Sequence, residues 1–159
     1  MMKVLGVNAS GADLWVALYG DGGPEPTDPV KLSLPAGPEG GYALNAFRTT
    51  VGHTLSEWSP DLIVILSPRS PQGDPAWKLA LPRVTAETML ILAATDCNID
   101  VNRVSQSQVR KNLSIAKEGG LRDHAKSLLP VKVGTHWTGK RDLAALAAAS
   151  VHPAGLVAC

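Results

Sequence analysis

The sequence predicts an α/β domain in which helices flank a mixed sheet of five strands, the first three of them antiparallel. Hydrophobic residues make up 45% of the 159 positions and charged residues 18%, which is typical of a chain that folds around a core. Three strand-like segments come first, joined by turns and loops, which favours antiparallel pairing. Helix-like and strand-like segments then alternate, which favours parallel strands. The length predicts one domain, residues 1–159.

Five segments carry the pattern of strands, being short, rich in apolar or β-branched residues and bounded by turn-forming residues. They are Lys3–Ala9, Asp13–Tyr19, Val30–Leu34, Leu62–Leu66 and Ile99–Val104. Ser10 and Gly11 form a tight turn between the first two, which therefore pair as a hairpin. The fourth is an uninterrupted apolar run between Pro60 and Pro68, which indicates a central strand. The Gly- and Pro-rich residues 20–29 are predicted to form a loop.

Five further segments carry helical periodicity or helix-end signals. They are Tyr42–Trp58, Val84–Cys97, Ser105–Leu113, Leu121–Leu129 and Arg141–Val151. Pro82 marks the start of the second helix or a kink in it, and Ser105 is expected to cap the third. The last helix is rich in alanine, and its small side chains allow it to lie close against the sheet.

The charges are unevenly divided along the chain. Residues 1–100 hold six Lys and Arg against eleven Asp and Glu, a net charge of −5. Residues 101–159 hold nine Lys and Arg against three Asp and Glu, a net charge of +6. A basic C-terminal part is typical of a protein that binds a polyanion. The alternative is that these side chains only solvate helix faces.

Features of the whole chain disfavour several classes of protein. Its two cysteines, Cys97 and Cys159, cannot form a disulfide framework and have no partners at metal-ligand spacing. The N-terminal pattern is not that of a signal peptide, and no stretch approaches the roughly 18–20 apolar residues of a membrane span. We therefore expect a cytoplasmic protein that does not enter membranes.

The order of elements is that of the ribonuclease H-like fold, and four stretches resemble one branch of it, the RuvC-type Holliday-junction resolvases. They are Val4–Leu18 (VLGVNASGADLWVAL), Pro60–Leu66 (PDLIVIL), Arg83–Leu113 (RVTAETMLILAATDCNIDVNRVSQSQVRKNL) and Gly139–Ala149 (GKRDLAALAAA). Residues 20–41 and 67–82 lie outside the resemblance. The resemblance implies binding of branched or duplex DNA in recombination and repair, and a homodimer in which the long helix often lies at the contact.

The resemblance also implies where a metal site would lie. In the family, an aspartate ending the first strand, a glutamate ending the fourth and two aspartates of the last helix hold two Mg²⁺ or Mn²⁺ ions. The ions activate water and stabilise the charge on the attacked phosphodiester. These four positions fall on Asn8, Leu66, Gly139 and Asp142. Only Asp142 is an acid, and one carboxylate cannot hold two ions, so the departure predicts a catalytically inactive protein without a cofactor.

Two other interpretations of the acids stay open. Asp142 is the remaining candidate catalytic and metal-binding residue, but an acid in the first turn of a helix also interacts favourably with the helix dipole. Asp13, Asp61 and Asp74 are the nearest acids along the chain that would complete a rearranged set. With such a set the protein would be an Mg- or Mn-dependent, structure-selective endonuclease.

Basic residues after the fifth strand carry the prediction of nucleic-acid binding. In the resolvases, lysines in this segment contact phosphate; Arg110 falls on one such position and Lys111 adjoins it, while Lys117 and Arg122 lie in the region of a second. Arginine binds phosphate oxygens bidentately, and contacts to the nucleic-acid backbone give affinity without reading sequence. We therefore predict a protein that binds branched or duplex nucleic acid; the alternative is a scaffold that binds proteins.

Overall fold

A six-stranded mixed sheet with helices on both faces organises the part of the chain that the computed structural model describes, residues 1–35, 40–68 and 77–157. The strands are β1 (Val4–Ser10), β2 (Asp13–Gly20), β3 (Gly23–Glu25), β4 (Lys31–Ser33), β5 (Leu62–Leu66) and β6 (Asp100–Val104). The helices are α1 (Gly41–Trp58), α2 (Trp77–Asp96), α3 (Gln106–Asn112), α4 (Leu121–Leu128) and α5 (Asp142–Val151).

The strand order is β3-β2-β1-β5-β6, with β4 also paired to β2. The first four strands pair antiparallel through β2, whereas β1, β5 and β6 run parallel. This arrangement confirms the predicted ribonuclease H-like fold and its antiparallel beginning. None of the described helices is both long enough and apolar enough to span a membrane.

Two details of the prediction were wrong. The sheet has a sixth strand, because Gly23–Glu25 pairs with β2 instead of belonging to a loop. Pro24 misled the prediction, but an edge strand tolerates a residue without an N–H. Helix α2 begins at Trp77 rather than at Val84, and Pro82 lies inside it. The bond that Pro82 removes would join the carbonyl of residue 78, close to the helix start, so the helix continues past it.

The sheet separates two apolar layers because side chains alternate along each strand. Leu5 and Val7 of β1 pack with α1 and α2. Val4 packs on the opposite face, with the alanines of α5. At Gly6, between them, a Cβ atom would lie only 2.6 Å from the Ala144 carbonyl carbon. The absence of that atom lets α5 lie directly on β1, as its alanine content predicts.

Candidate nucleic-acid interface

Three residues form a row across the sheet where β1 and β5 end. Asn8 lies opposite Trp15 in the antiparallel pair and opposite Leu66 in the parallel pair. Residues in register project from the same face of a sheet, here the face that α5 covers. Two of the four positions that the resemblance assigns to metal ligands are therefore neighbours, but Leu66 is 3% exposed and belongs to the apolar core.

The third position, Gly139, lies in an irregular turn, Trp137–Arg141, that precedes α5. The Asn8 side chain holds this turn, because its Nδ2 donates to the carbonyl oxygen of Lys140 at 3.0 Å. Gly139 has a φ of 73°, and a Cβ atom there would lie 2.6 Å from Nε of Arg122 and 2.8 Å from its Cζ. The guanidinium of Arg122 thus occupies the space that a side chain at position 139 would enter.

A cavity of about 300 Å³ opens at this place, and we call it the basic pocket. Its lining residues come from the end of β1, from β2, from α4 and from the turn before α5. They are Asn8, Ala9, Ser10, Trp15, Arg122, Thr138, Gly139 and Lys140. None of these residues is acidic, and two of them carry a positive charge.

Two lysine side chains lie over the Trp15 ring, which lines the basic pocket. Nζ of Lys140 lies 4.5 Å from the ring centroid and Nζ of Lys31 lies 5.1 Å from it. Both distances are in the range of cation–π attraction. The His136 ring lies 5.1 Å from the same centroid. Trp15 itself is 5% exposed, so it is a fixed platform for these side chains.

The fourth position, Asp142, borders a different cavity. Asp142 is 1% exposed, and its Oδ1 accepts a hydrogen bond from the Leu143 N–H at 2.8 Å. It lines a cavity of about 360 Å³ together with the basic residues Lys126 and Lys132, and Thr138 borders both cavities. The carboxylate therefore contacts backbone at the start of α5 and does not line the basic pocket.

The acids that would complete a rearranged set are bonded to other residues or lie outside the described residues. Asp61 precedes β5, at the opposite end of the sheet, where its Oδ2 accepts from the Lys3 N–H at 2.7 Å. Asp13 accepts from the Ser33 hydroxyl at 2.6 Å. Asp74 falls outside the described residues. Within the described ranges, no three His, Cys, Asp or Glu side chains come together as a metal-binding group.

The donor set at the four positions does not fit two divalent ions. An amide, a leucine and a glycine replace three carboxylates, and the space beside the glycine holds a guanidinium. Divalent ions such as Mg²⁺ require several oxygen ligands and are repelled by a neighbouring cation. We therefore derive no metal-dependent step for this pocket.

Three of the four predicted phosphate contacts share a second surface, which we call the basic groove. This groove has a volume of about 740 Å³ and is lined by Arg110, Lys111 and Lys117. Its other lining residues belong to α3 and the loop after it, and are Gln106, Ser107, Ser114, Ile115 and Gly119. The Arg110 guanidinium also folds that loop, donating to the carbonyl oxygens of Ala116 and Gly119 at 2.6 Å each. Arg122 does not line the groove, since it lies in the basic pocket.

Sequence reasoning missed Trp15, Lys31 and Lys140. The position of Trp15 could have been found from the hairpin register, because counting outward from the Ser10–Asp13 pair places Trp15 opposite Asn8. Lys140 follows Gly139 in the chain, and the sequence indicates only that it adds to the positive charge of the C-terminal part. Lys31 reaches the ring from β4, whose register no local pattern predicts.

Sequence comparison matches the chain to no family profile and to no curated protein. Comparison with solved structures shows that the chain has a RuvC-like fold. The RuvC of T. thermophilus in complex with a Holliday junction substrate aligns with a TM-score of 0.67 and 14% identity, over 94% of this chain and 92% of that one. A second Thermus thermophilus RuvC structure aligns with a TM-score of 0.62 and 15% identity, with the same coverage of both chains.

The yeast mitochondrial Holliday junction resolvase Ydc2 is a more distant structural neighbour. It aligns with a TM-score of 0.54 and 12% identity, over 81% of this chain and 61% of that one. At these identities the three likenesses establish a RuvC-like fold and leave the activity to be argued from the site.

Proposed function

We propose that this chain is a RuvC-like protein that binds branched or duplex nucleic acid through its basic C-terminal part and does not cleave it. The observation that carries the proposal is the reversal of charge where β1 and β5 end. A nuclease of this fold needs carboxylates there, whereas this chain presents Arg122 and Lys140. Cations at this place favour a phosphate backbone and disfavour the ions that hydrolysis requires.

The basic groove supports binding of an extended polyanion. Arg110, Lys111 and Lys117 lie on one surface, and Lys111 and Lys117 are exposed to solvent. One solved structure with this fold is a RuvC in complex with a Holliday junction substrate. Phosphate contacts of this kind position a protein by the shape of the nucleic acid and read no sequence.

The test is the affinity for a labelled four-way junction and for a linear duplex, measured by fluorescence anisotropy in EDTA over a salt series. We expect binding that weakens steeply with salt, because released counterions drive it. The double variant Lys111→Gln/Lys117→Gln should bind at least tenfold more weakly, whereas Arg48→Gln, on α1, should bind like the wild type. Binding that is absent, or independent of salt, would contradict the proposal and favour a protein-binding scaffold.

Cleavage is tested separately with the same junction in Mg²⁺ and in Mn²⁺. We expect intact substrate. Cleavage that is abolished by Asp142→Asn would show that the protein is a metal-dependent endonuclease with a rearranged set of acids. Cleavage that Asp142→Asn leaves unchanged would point to a contaminating nuclease and would leave the proposed binding function standing.

A homodimer is the second element of the proposal. Helix α2 exposes an apolar stripe, since Leu81 is 43%, Val84 47% and Leu92 37% exposed. At helical spacing these residues share one face, which a second copy would cover. Light scattering after size exclusion should give a dimer for the wild type and for Thr49→Glu on α1, but a monomer for Val84→Glu. A monomeric wild type would contradict the dimer.

A further inference from the structure

We infer that the basic pocket holds one phosphate group of the bound nucleic acid directly, with Arg122 and Lys140 taking the place of divalent ions. The inference rests on the proposed function and assigns the ligand of this pocket. It names a site separate from the basic groove, with a phosphate oxyanion as the recognised group.

The Arg122 guanidinium is available for a ligand. No hydrogen bond or ion pair joins it to another residue of the described part of the chain, and its residue is exposed to solvent. The planar fork of an arginine matches two oxygens of one phosphate. Arg110 in the groove differs, because two of its donors already bind carbonyl oxygens. The pocket therefore offers a free bidentate donor and the groove a partly engaged one.

Gly139 makes room for this guanidinium. Any side chain at position 139 would start 2.6–2.8 Å from three atoms of Arg122 and would displace it. The backbone there also has a φ of 73°, which glycine adopts without strain. An aspartate at this position would bind Arg122 itself and neutralise the pocket. With glycine at this position, the exposed Arg122 side chain keeps its place and its charge is not neutralised.

Lys140 provides the second charge of the pocket. Its ammonium lies over the Trp15 ring at 4.5 Å, and no carboxylate among the described residues pairs with it. Lys31 lies over the same ring, but its Nζ is 3.5 Å from Oδ2 of Asp13, which compensates its positive charge. The ring fixes the Lys140 ammonium without cancelling its charge, so the ammonium remains a donor for an anion.

Asn8 completes the pocket with a neutral donor. One N–H of its amide binds the Lys140 carbonyl oxygen, and an amide has a second N–H to offer. An aspartate here would repel a phosphate, whereas the amide carries no charge. The pocket volume of about 300 Å³ is at the lower end of the range of small-ligand sites, which suits a single phosphate group.

The experiment is a ¹⁵N–¹H NMR titration of the protein with inorganic phosphate in EDTA at constant ionic strength. We expect saturable shifts at the Gly139 and Lys140 amides, the Asn8 side-chain amide and the Trp15 indole. Arg122→Gln and Lys140→Gln should each weaken the apparent affinity at least fivefold. Arg48→Gln on α1 is the matched control and should leave it unchanged.

Shifts that remain linear in phosphate, or that Arg122→Gln does not reduce, would overturn the inference. A junction titration separates this outcome from failure of the proposed function. Junction binding that is insensitive to both pocket variants would refute the phosphate site and leave nucleic-acid binding intact. Saturable phosphate binding without junction binding would keep the site and refute the nucleic-acid function.

Discussion

Replacing Gly6 with alanine tests the close packing that sets the position of the candidate site. The new Cβ would lie 2.6 Å from the Ala144 carbonyl carbon and 3.2 Å from the Ala148 Cβ. Carbon atoms in contact are about 3.5–4.0 Å apart, so α5 must move away from β1 by roughly 1 Å. The obstacle is helix backbone, which no rotamer change can relieve.

The loss in free energy of unfolding follows from the packing contacts of α5 that this movement weakens. Residues 144–149 of α5 are all buried, and Ala144 and Ala148 are the ones that meet Gly6. A gap of about 1 Å forfeits a quarter to a half of the dispersion energy on the side of the helix that faces β1. Overpacking of a core costs about 1–3 kcal/mol, and we expect about 3 kcal/mol here because backbone must shift. In urea this lowers the unfolding midpoint by about 1 M or more.

Gly52→Ala on α1 is the matched control for that measurement. A Cβ atom at Gly52 meets nothing within 4 Å, and the residue lies inside a helix. Alanine there should raise the free energy of unfolding by about 0.5–1 kcal/mol. If Gly6→Ala unfolds within about 0.5 kcal/mol of the wild type, an error comparable to that of the extrapolation, α5 does not lie on β1 as described.

Two further predictions concern the segment that begins α5. Arg141 is 1% exposed, and this burial lowers the pKa of its guanidinium. The guanidinium donates to four oxygens of β2 and the neighbouring loops. Because Arg141→Met leaves these oxygens without their donors, it should lower the free energy of unfolding in urea by about 3 kcal/mol. Full stability of that variant would contradict the assigned bonds. The second prediction concerns the triple variant Asn8→Asp/Leu66→Glu/Gly139→Asp, which should bind no Mg²⁺ in isothermal calorimetry while Arg122 is present. Adding Arg122→Ala to this variant should create Mg²⁺ binding. Mg²⁺ binding by the triple variant alone would show that Arg122 does not block the site.

The sequence predicted the sheet because its strands are defined by local pattern. The run Leu62–Leu66 matches β5 residue for residue, and Ser105 caps α3 through a bond from the Gln108 N–H. Strand β3 was not predicted, because three residues containing Gly and Pro acquire strand geometry only by pairing with β2. The start of α2 was predicted too late in the chain, because proline usually ends a helix and here lies within one.

The candidate site was predictable in position and not in composition. The resemblance assigned Asn8, Leu66 and Gly139 to the family's metal-ligand positions, and the structure brings Asn8 and Gly139 to one cavity. The position of Arg122 beside Gly139 depends on how α4 packs against the turn before α5, which no local pattern contains. The four basic residues that the sequence singles out are therefore divided, with Arg122 in the pocket and the other three in the groove.

The most direct measurement of the central claim is the salt dependence of junction binding by the wild type and by Arg122→Gln, both in EDTA. If Arg122 neutralises a phosphate in the basic pocket without a metal ion, the wild type binds in EDTA and the slope of log affinity against log salt falls by about one in the variant. An unchanged slope, or wild-type binding that requires Mg²⁺, would contradict the account.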